Sequence, residues 1–196
     1  MISLLRRLYD WTLALSARPG AIWALAAVAF VESSIFPIPP DAMLIPMVLA
    51  APKRAWAIAG IATLASVAGG FAGYAIGYVF FEAIGRPILD FYGYAQQFAE
   101  FRAAYNEWGA WIVAMAGFTP FPYKVITIAS GVTGLDLWSF AIASALSRGA
   151  RFFLVAALLR RWGPPLRRFI EANLGLLTTG FFLLLFGGFV VARYLL

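Results

Sequence analysis

The chain has no cysteine and no histidine in its 196 residues. Without cysteine there are no disulfides, and the redox compartment cannot be read from thiol usage. Without either residue, zinc sites of the usual His/Cys kind are excluded. Histidine-ligated membrane haem is excluded too. So are serine–histidine hydrolysis and histidine-based phosphatase chemistry. Charge is also scarce, at 12% of residues, with only 9 acidic side chains. A soluble domain of this length does not carry so little charge. What fills the space is apolar: 63% of residues are hydrophobic, and the mean hydropathy is +0.84. The chain reads as one all-α integral membrane domain that is not an enzyme and holds no metal or cofactor.

The net charge of +6 is not a nucleic-acid signal, because topology accounts for it. Basic residues cluster at Arg6, Arg7 and Arg18, at Lys53 and Arg54, and at Arg160, Arg161, Arg167 and Arg168. The stretch 82–108 instead sets Glu82, Asp90, Glu100 and Glu107 against Arg86 and Arg102. The positive-inside rule makes the three basic clusters cytoplasmic and 82–108 external. The first residues lack a signal-peptide cleavage pattern, so 1–18 reads as an interfacial helix with a cytoplasmic N-terminus.

One motif occurs twice. Residues 36–41 read Phe-Pro-Ile-Pro-Pro-Asp, and residues 119–124 read Thr-Pro-Phe-Pro-Tyr-Lys. Aligning Pro37 with Pro120 and Pro39 with Pro122 sets Asp41 opposite Lys124. Pro37, Pro39, Pro40, Pro120 and Pro122 cannot lie inside a smooth helix, since proline lacks the amide and clashes with the preceding turn. Broken helices in the two halves of a membrane chain point to a transport site at mid-depth. The arms around the first break, 20–36 and 41–51, have basic flanks on both sides. A re-entrant hairpin over 20–51 satisfies both flanks, whereas a single kinked span over 22–50 would separate them.

The rest follows in order: a span over 55–81, an external amphipathic segment over 82–108, and a second re-entrant hairpin over 109–134. A span over 137–159, an amphipathic helix over 166–174 and a last span over 176–195 complete the chain. Opposed hairpins make an inverted repeat. Gly69, Gly73 and Gly77 form a small-residue stripe for close helix packing.

Ionisable residues at membrane depth are costly, and each is a functional candidate. Glu32 lies in the first arm and Asp41 just past its tip. Lys124 takes the matching place in the second repeat. Arg148 and Arg151 are three residues apart, on one helix face. Two readings stand. The charges pair with each other and hold the bundle shut. Alternatively, Lys124, Arg148 and Arg151, with helix N-termini aimed at the tips, bind a phosphate, while Glu32 and Asp41 carry protons or act as counter-charges. Ser33 has no base to activate it as a nucleophile.

Glu32-x4-Pro37-x-Pro39-x-Asp41, followed by Gly117-Phe118-Thr119-Pro120 and Lys124, resembles the DedA family of the VTT (SNARE-associated) superfamily. The match is closest to its short YqaA-like branch. Arg148-Gly149-Ala150 is similar to a Gly-Ala element of that family. The resemblance covers roughly residues 25–160. It implies two opposed re-entrant hairpins in the bacterial inner membrane. It also implies a flippase or scramblase role for anionic, phosphate-bearing lipids, with undecaprenyl phosphate and phospholipids as the substrate class. Proton dependence and a homo-oligomer are compatible with it. The family's arginine three residues after the second-motif proline is Tyr123 here, and the cation follows as Lys124. Lysine lacks the bidentate fork, so either the substrate differs or Arg148 and Arg151 supply the forks. A proton-coupled small-solute transporter and a non-transporting assembly factor are the rival functions.

Overall fold

The computed structural model describes residues 20–35, 39–119, 121–163 and 165. The elements expected over 1–18, 166–174 and 176–195, and the prolines Pro37 and Pro120, lie outside these residues. The described residues form seven helices and no strand: α1 (Ala21–Ser34), α2 (Asp41–Ala50), α3 (Ala55–Phe80), α4 (Arg86–Tyr92), α5 (Ala95–Phe118), α6 (Tyr123–Thr133) and α7 (Leu137–Gly163). A 3-10 turn, Pro52–Arg54, leads into α3, and a π-helical turn, Phe81–Gly85, carries it on into α4.

Local chemistry sets the ends. Pro40 stands just before α2, and its carbonyl accepts from the Leu44 amide at 2.9 Å. Pro122 precedes α6 in an extended conformation, as suits a residue that cannot continue a helix from the preceding turn. Gly134 ends α6 with φ 63°, a left-handed backbone that glycine adopts without a Cβ penalty. Asp136 caps α7: its Oδ2 accepts from the Ser139 amide at 2.8 Å. That bond, with a second from the Ser139 side chain, holds its carboxyl below the usual range.

Two long helices form the frame. α3 and α7 run antiparallel, because Phe140 meets Phe71 and Tyr74, Arg148 meets Ser66, and Phe153 stacks on Trp56. At ~1.5 Å per residue α3 alone is about 39 Å long, enough to cross a bilayer. α1 runs beside α3 in the same direction: the Phe30 carbonyl faces Gly69 and the Ser33 carbonyl faces Gly73. A Cβ at Gly69 would collide with the Phe30 backbone, so glycine is what permits this approach. α2 turns back, and Leu49 reaches Gly163 at the end of α7. Leu44, Met47 and Val48 thereby share a buried cluster with Leu25, Ile58 and Ala59.

The second half mirrors this at the other end. α5 comes from the far end of α3, where Phe98 stacks on Phe81, and reaches Ser147 with Gly117. α6 then returns: Thr127 meets Gly73, and the Ile128 carbonyl meets Gly77. The described residues bordering the two breaks, Ser33 on one side and Gly117 on the other, therefore both lie level with the middle of α3. The polar stretch and the arm expected to begin at 109 form one helix, α5, from Ala95. Gly109 does not break it, because this glycine makes room for Leu135.

The packing is inverted relative to a soluble protein. Ser33, Ser66, Thr127, Ser130, Ser144 and Arg148 are buried, while Leu64, Ile76, Ile142, Leu146 and Leu154 lie outside. Lys53, Arg54, Arg160 and Arg161 gather at one end, where Arg160 sits over the Trp56 ring at 5.5 Å.

Candidate functional site

Between the two breaks the structure assembles a chain of polar contacts. Glu32, in the last turn of α1, accepts from Arg148 on α7 at 2.8 Å. The Arg148 Nε donates to Ser66 Oγ on α3 at 2.6 Å, and Ser66 hydrogen-bonds Ser33 at 2.6 Å. The guanidinium lies over the rings of Tyr123, at 4.9 Å, and Phe152, at 4.7 Å. Arg148 is only 3% exposed. A charge so far from water needs such partners, because an unpaired one would cost several kcal/mol, about 3–5 by analogy with broken buried pairs. The Tyr123 hydroxyl in turn donates to Ser144 on α7.

One turn along α7, Arg151 pairs with Asp41 at the start of α2. Its other terminal nitrogen donates to the Thr119 carbonyl at 2.7 Å, so this arginine ties the two breaks together. Asp41 Oδ1 is buried and has no hydrogen-bond partner among the described residues. Lys124 Nζ donates to the Ile35 carbonyl at 3.1 Å, a second tie between the breaks. Thr127 Oγ1 donates to the Ser33 carbonyl at 3.0 Å, a third.

The structure thus brings Glu32, Asp41, Lys124, Arg148 and Arg151 into one centre, with Pro39, Pro40 and Pro122 at its edge. Its pairing differs from a bare cluster of three cations, since each arginine already holds a carboxylate and the lysine holds a carbonyl. Asp41 stands opposite Lys124 in the aligned motifs, yet its partner is Arg151. Sequence reasoning passed over Ser66 and Ser144 and gave Tyr123 no role beyond filling the slot of the family's arginine. Ser66 had a legible signal: it lies three residues before Gly69, on the same small-residue stripe, and a hydroxyl there faces the neighbouring helix.

A VTT domain match spans residues 38–161. The chain belongs to the DedA (VTT domain) family. The matched stretch takes in Asp41, Lys124, Arg148 and Arg151 and begins after Glu32. Among relatives, the chain is 42% identical over 156 residues to an uncharacterized protein of Haemophilus influenzae, covering 80% of each chain. It is 40% identical over 168 residues to an uncharacterized HI0703 homologue of Histophilus somni, covering 84% of this chain and 87% of the relative. No solved structure matches. Family membership and the two long apolar helices make this DedA protein a membrane protein. Its polar centre lies level with the middle of α3, which like α7 is long and apolar enough to cross a hydrocarbon layer.

Proposed function

We propose that this DedA-family protein moves phosphate-bearing lipids between the leaflets of the bacterial inner membrane. In this reading the units α1–α2 and α5–α6 are re-entrant hairpins entering from opposite faces. The basic end, with the N-terminus, is cytoplasmic. The observation that carries the reading is the pair of carboxylate–arginine contacts, Glu32–Arg148 and Asp41–Arg151, set side by side at the level of both breaks. Charges at that depth are costly and face a pathway when they are kept.

The chemistry follows from what arginine recognises. Its planar fork binds carboxylate and phosphate oxygens in the same way. A headgroup phosphate therefore competes with Asp41 for Arg151, or with Glu32 for Arg148. Protonating the carboxylate removes its claim on the arginine and frees the fork. Deprotonation restores the pair and releases the phosphate. Asp41 suits this exchange because its Oδ1 lacks a partner among the described residues. Arg148, clasped by two rings, suits the fixed half of the centre.

The compactness of the Arg148 contacts favours a second reading, in which the same groups couple protons to a small solute. The test is reconstitution into vesicles with a labelled phosphate-bearing lipid, with and without a pH gradient. Lipid transfer by the parent, strongly lowered in Asp41→Asn with normal insertion, is expected. A parent that transfers no lipid but takes up a small anion on acidification moves the second reading ahead. A parent that does neither leaves the assembly-factor role.

A further inference from the structure

A groove lies beside the polar centre and shares a residue with it. Trp108, Trp111, Met115, Thr119, Phe121 and Ile126 line a cavity of about 490 Å³ on the outer face of α5, beside the second break. Trp108, Trp111, Met115 and Phe121 are each at least half exposed. Apart from Thr119 the lining is hydrocarbon and indole. The Thr119 carbonyl accepts from Arg151. The groove thus ends where the Asp41–Arg151 pair begins.

Its depth can be read from its neighbours. Gly109, beside Trp108, packs on Leu135 at the end of α6, and Gly117, near the other limit, packs on Ser147 in mid-α7. From Trp108 to Thr119 at ~1.5 Å per residue is about 16 Å. That is half of a hydrocarbon core of about 30 Å. The groove therefore spans one leaflet, the one away from Lys53, Arg54 and Arg160. A lipid that leaves the leaflet at the basic end and brings its headgroup to mid-depth pushes its chain into the opposite leaflet. The groove lies there.

We propose that this groove holds the hydrocarbon chain of the lipid whose phosphate engages Arg151, an inference that rests on the lipid-transfer reading above. Acyl and isoprenoid chains share the required chemistry, an apolar strand anchored at one end by a phosphate. The aromatic wall offers contact area to such a chain and no charged side chain to hold a soluble anion.

The experiment uses the full chain in phosphatidylcholine vesicles containing phosphatidic acid with a photoreactive diazirine in its acyl chain. Crosslinked peptides are mapped by mass spectrometry. Leu64 and Leu146, which face outward on α3 and α7, report bulk lipid. Unlabelled phosphatidic acid is expected to lower crosslinks at 108–119 at least fivefold while leaving the Leu64 and Leu146 signals in proportion to the label. Inorganic phosphate is expected to leave the groove signal unchanged. Arg151→Gln and the groove-filling Met115→Trp should each remove the selective signal, and Met115→Trp leaves the charged pair intact if either variant folds poorly. Crosslinks at 108–119 that merely track those at Leu64 overturn the proposal, since bulk lipid then wets the groove. So does a selective signal that survives both variants. A parent with selective crosslinks but no transfer keeps the groove as a lipid site and refutes the transport reading alone.

Discussion

Neutralising the Glu32–Arg148 pair one side at a time, and then both together, separates a structural role from a transport role. Arg148 is 3% exposed and Glu32 15%. In Glu32→Gln the guanidinium keeps Ser66 and two aromatic rings but loses its counter-charge at 2.8 Å. Removing one partner of a buried pair costs about 3–5 kcal/mol. For a chain of this size that is about 6–20 °C in Tm, at roughly 2–4 °C per kcal/mol. Arg148→Met leaves the more exposed partner, which keeps a 3.2 Å hydrogen bond from Ser33, so its cost should be smaller. The double variant Glu32→Gln, Arg148→Met removes both charges and replaces the guanidinium with an apolar chain. Replacing a whole buried pair is often neutral or stabilising. The two changes should therefore be non-additive by at least about 3 kcal/mol, at or above the upper end for residues in direct contact.

The assay is a Tm in detergent beside lipid transfer in vesicles, on the same four proteins. The double variant is expected to regain most of the parent Tm while its transfer stays lost. If it also transfers lipid at the parent rate, the pair is a strut and the exchange chemistry is wrong at this site. If the two Tm changes simply add, Glu32 and Arg148 do not bind each other.

Four further outcomes follow from the geometry. In this cysteine-free chain, an impermeant thiol reagent outside intact cells should label Gln97→Cys and not Lys53→Cys; labelling of both refutes the proposed sidedness. Gly73→Ala, whose Cβ would strike Thr127 and the Ser33 carbonyl, should lower stability by about 1–3 kcal/mol. Gly149→Ala, with Thr63 at an ordinary 3.7 Å, should be neutral or stabilising by up to about 1 kcal/mol; equal thermal shifts in the two would count against the close approach. Lys124→Arg should keep lipid transfer and Lys124→Gln should lower it, and indifference to both would remove Lys124 from the centre. Asp136 has a carboxyl pKa held below 3.8 in the fold, so its contribution is present above about pH 4 and fades as pH falls through the lowered value. Asp136→Ala should therefore cost stability at pH 7 and less at pH 3, read as Tm; a cost unchanged between the two contradicts the cap.

Much of the frame was legible because membrane depth imposes simple rules. The apolar length of α3 and α7 follows from hydropathy, and the paired prolines mark where helices must stop. The glycine stripe Gly69, Gly73, Gly77 reads as a packing surface, and α1 and α6 both lie on it. The start of α5 was not legible. Change of polarity along a chain suggests a boundary between elements, but a helix propagates through polar residues as readily as apolar ones when nothing breaks its hydrogen bonds. Between Ala95 and Phe118 there is no proline.

The charged residues that the structure brings together could be picked out from charge alone, but their pairing could not. Spacing places Arg148 and Arg151 on one face of α7, and the motif places Glu32 and Asp41 on either side of one break. Which acid meets which arginine depends on the register of α1 against α3 and of α3 against α7, and the paired residues are 116 and 110 apart in sequence. That register is set where backbone touches backbone, at Phe30 on Gly69 and Ser33 on Gly73. Ser66 then falls between Ser33 and Arg148 and links them. The pairing changes what an anion must do on the proposed reading. Free cations would bind phosphate and hold it; cations already bound to carboxylates bind phosphate only by exchange. Exchange ties the affinity for phosphate to the protonation of Asp41 and Glu32, so lipid transfer should depend on pH through these two residues together. Asp41→Asn and Glu32→Gln should each flatten the pH dependence of transfer as well as lower its rate. A variant slowed at every pH in the same proportion would place its carboxylate outside the exchange.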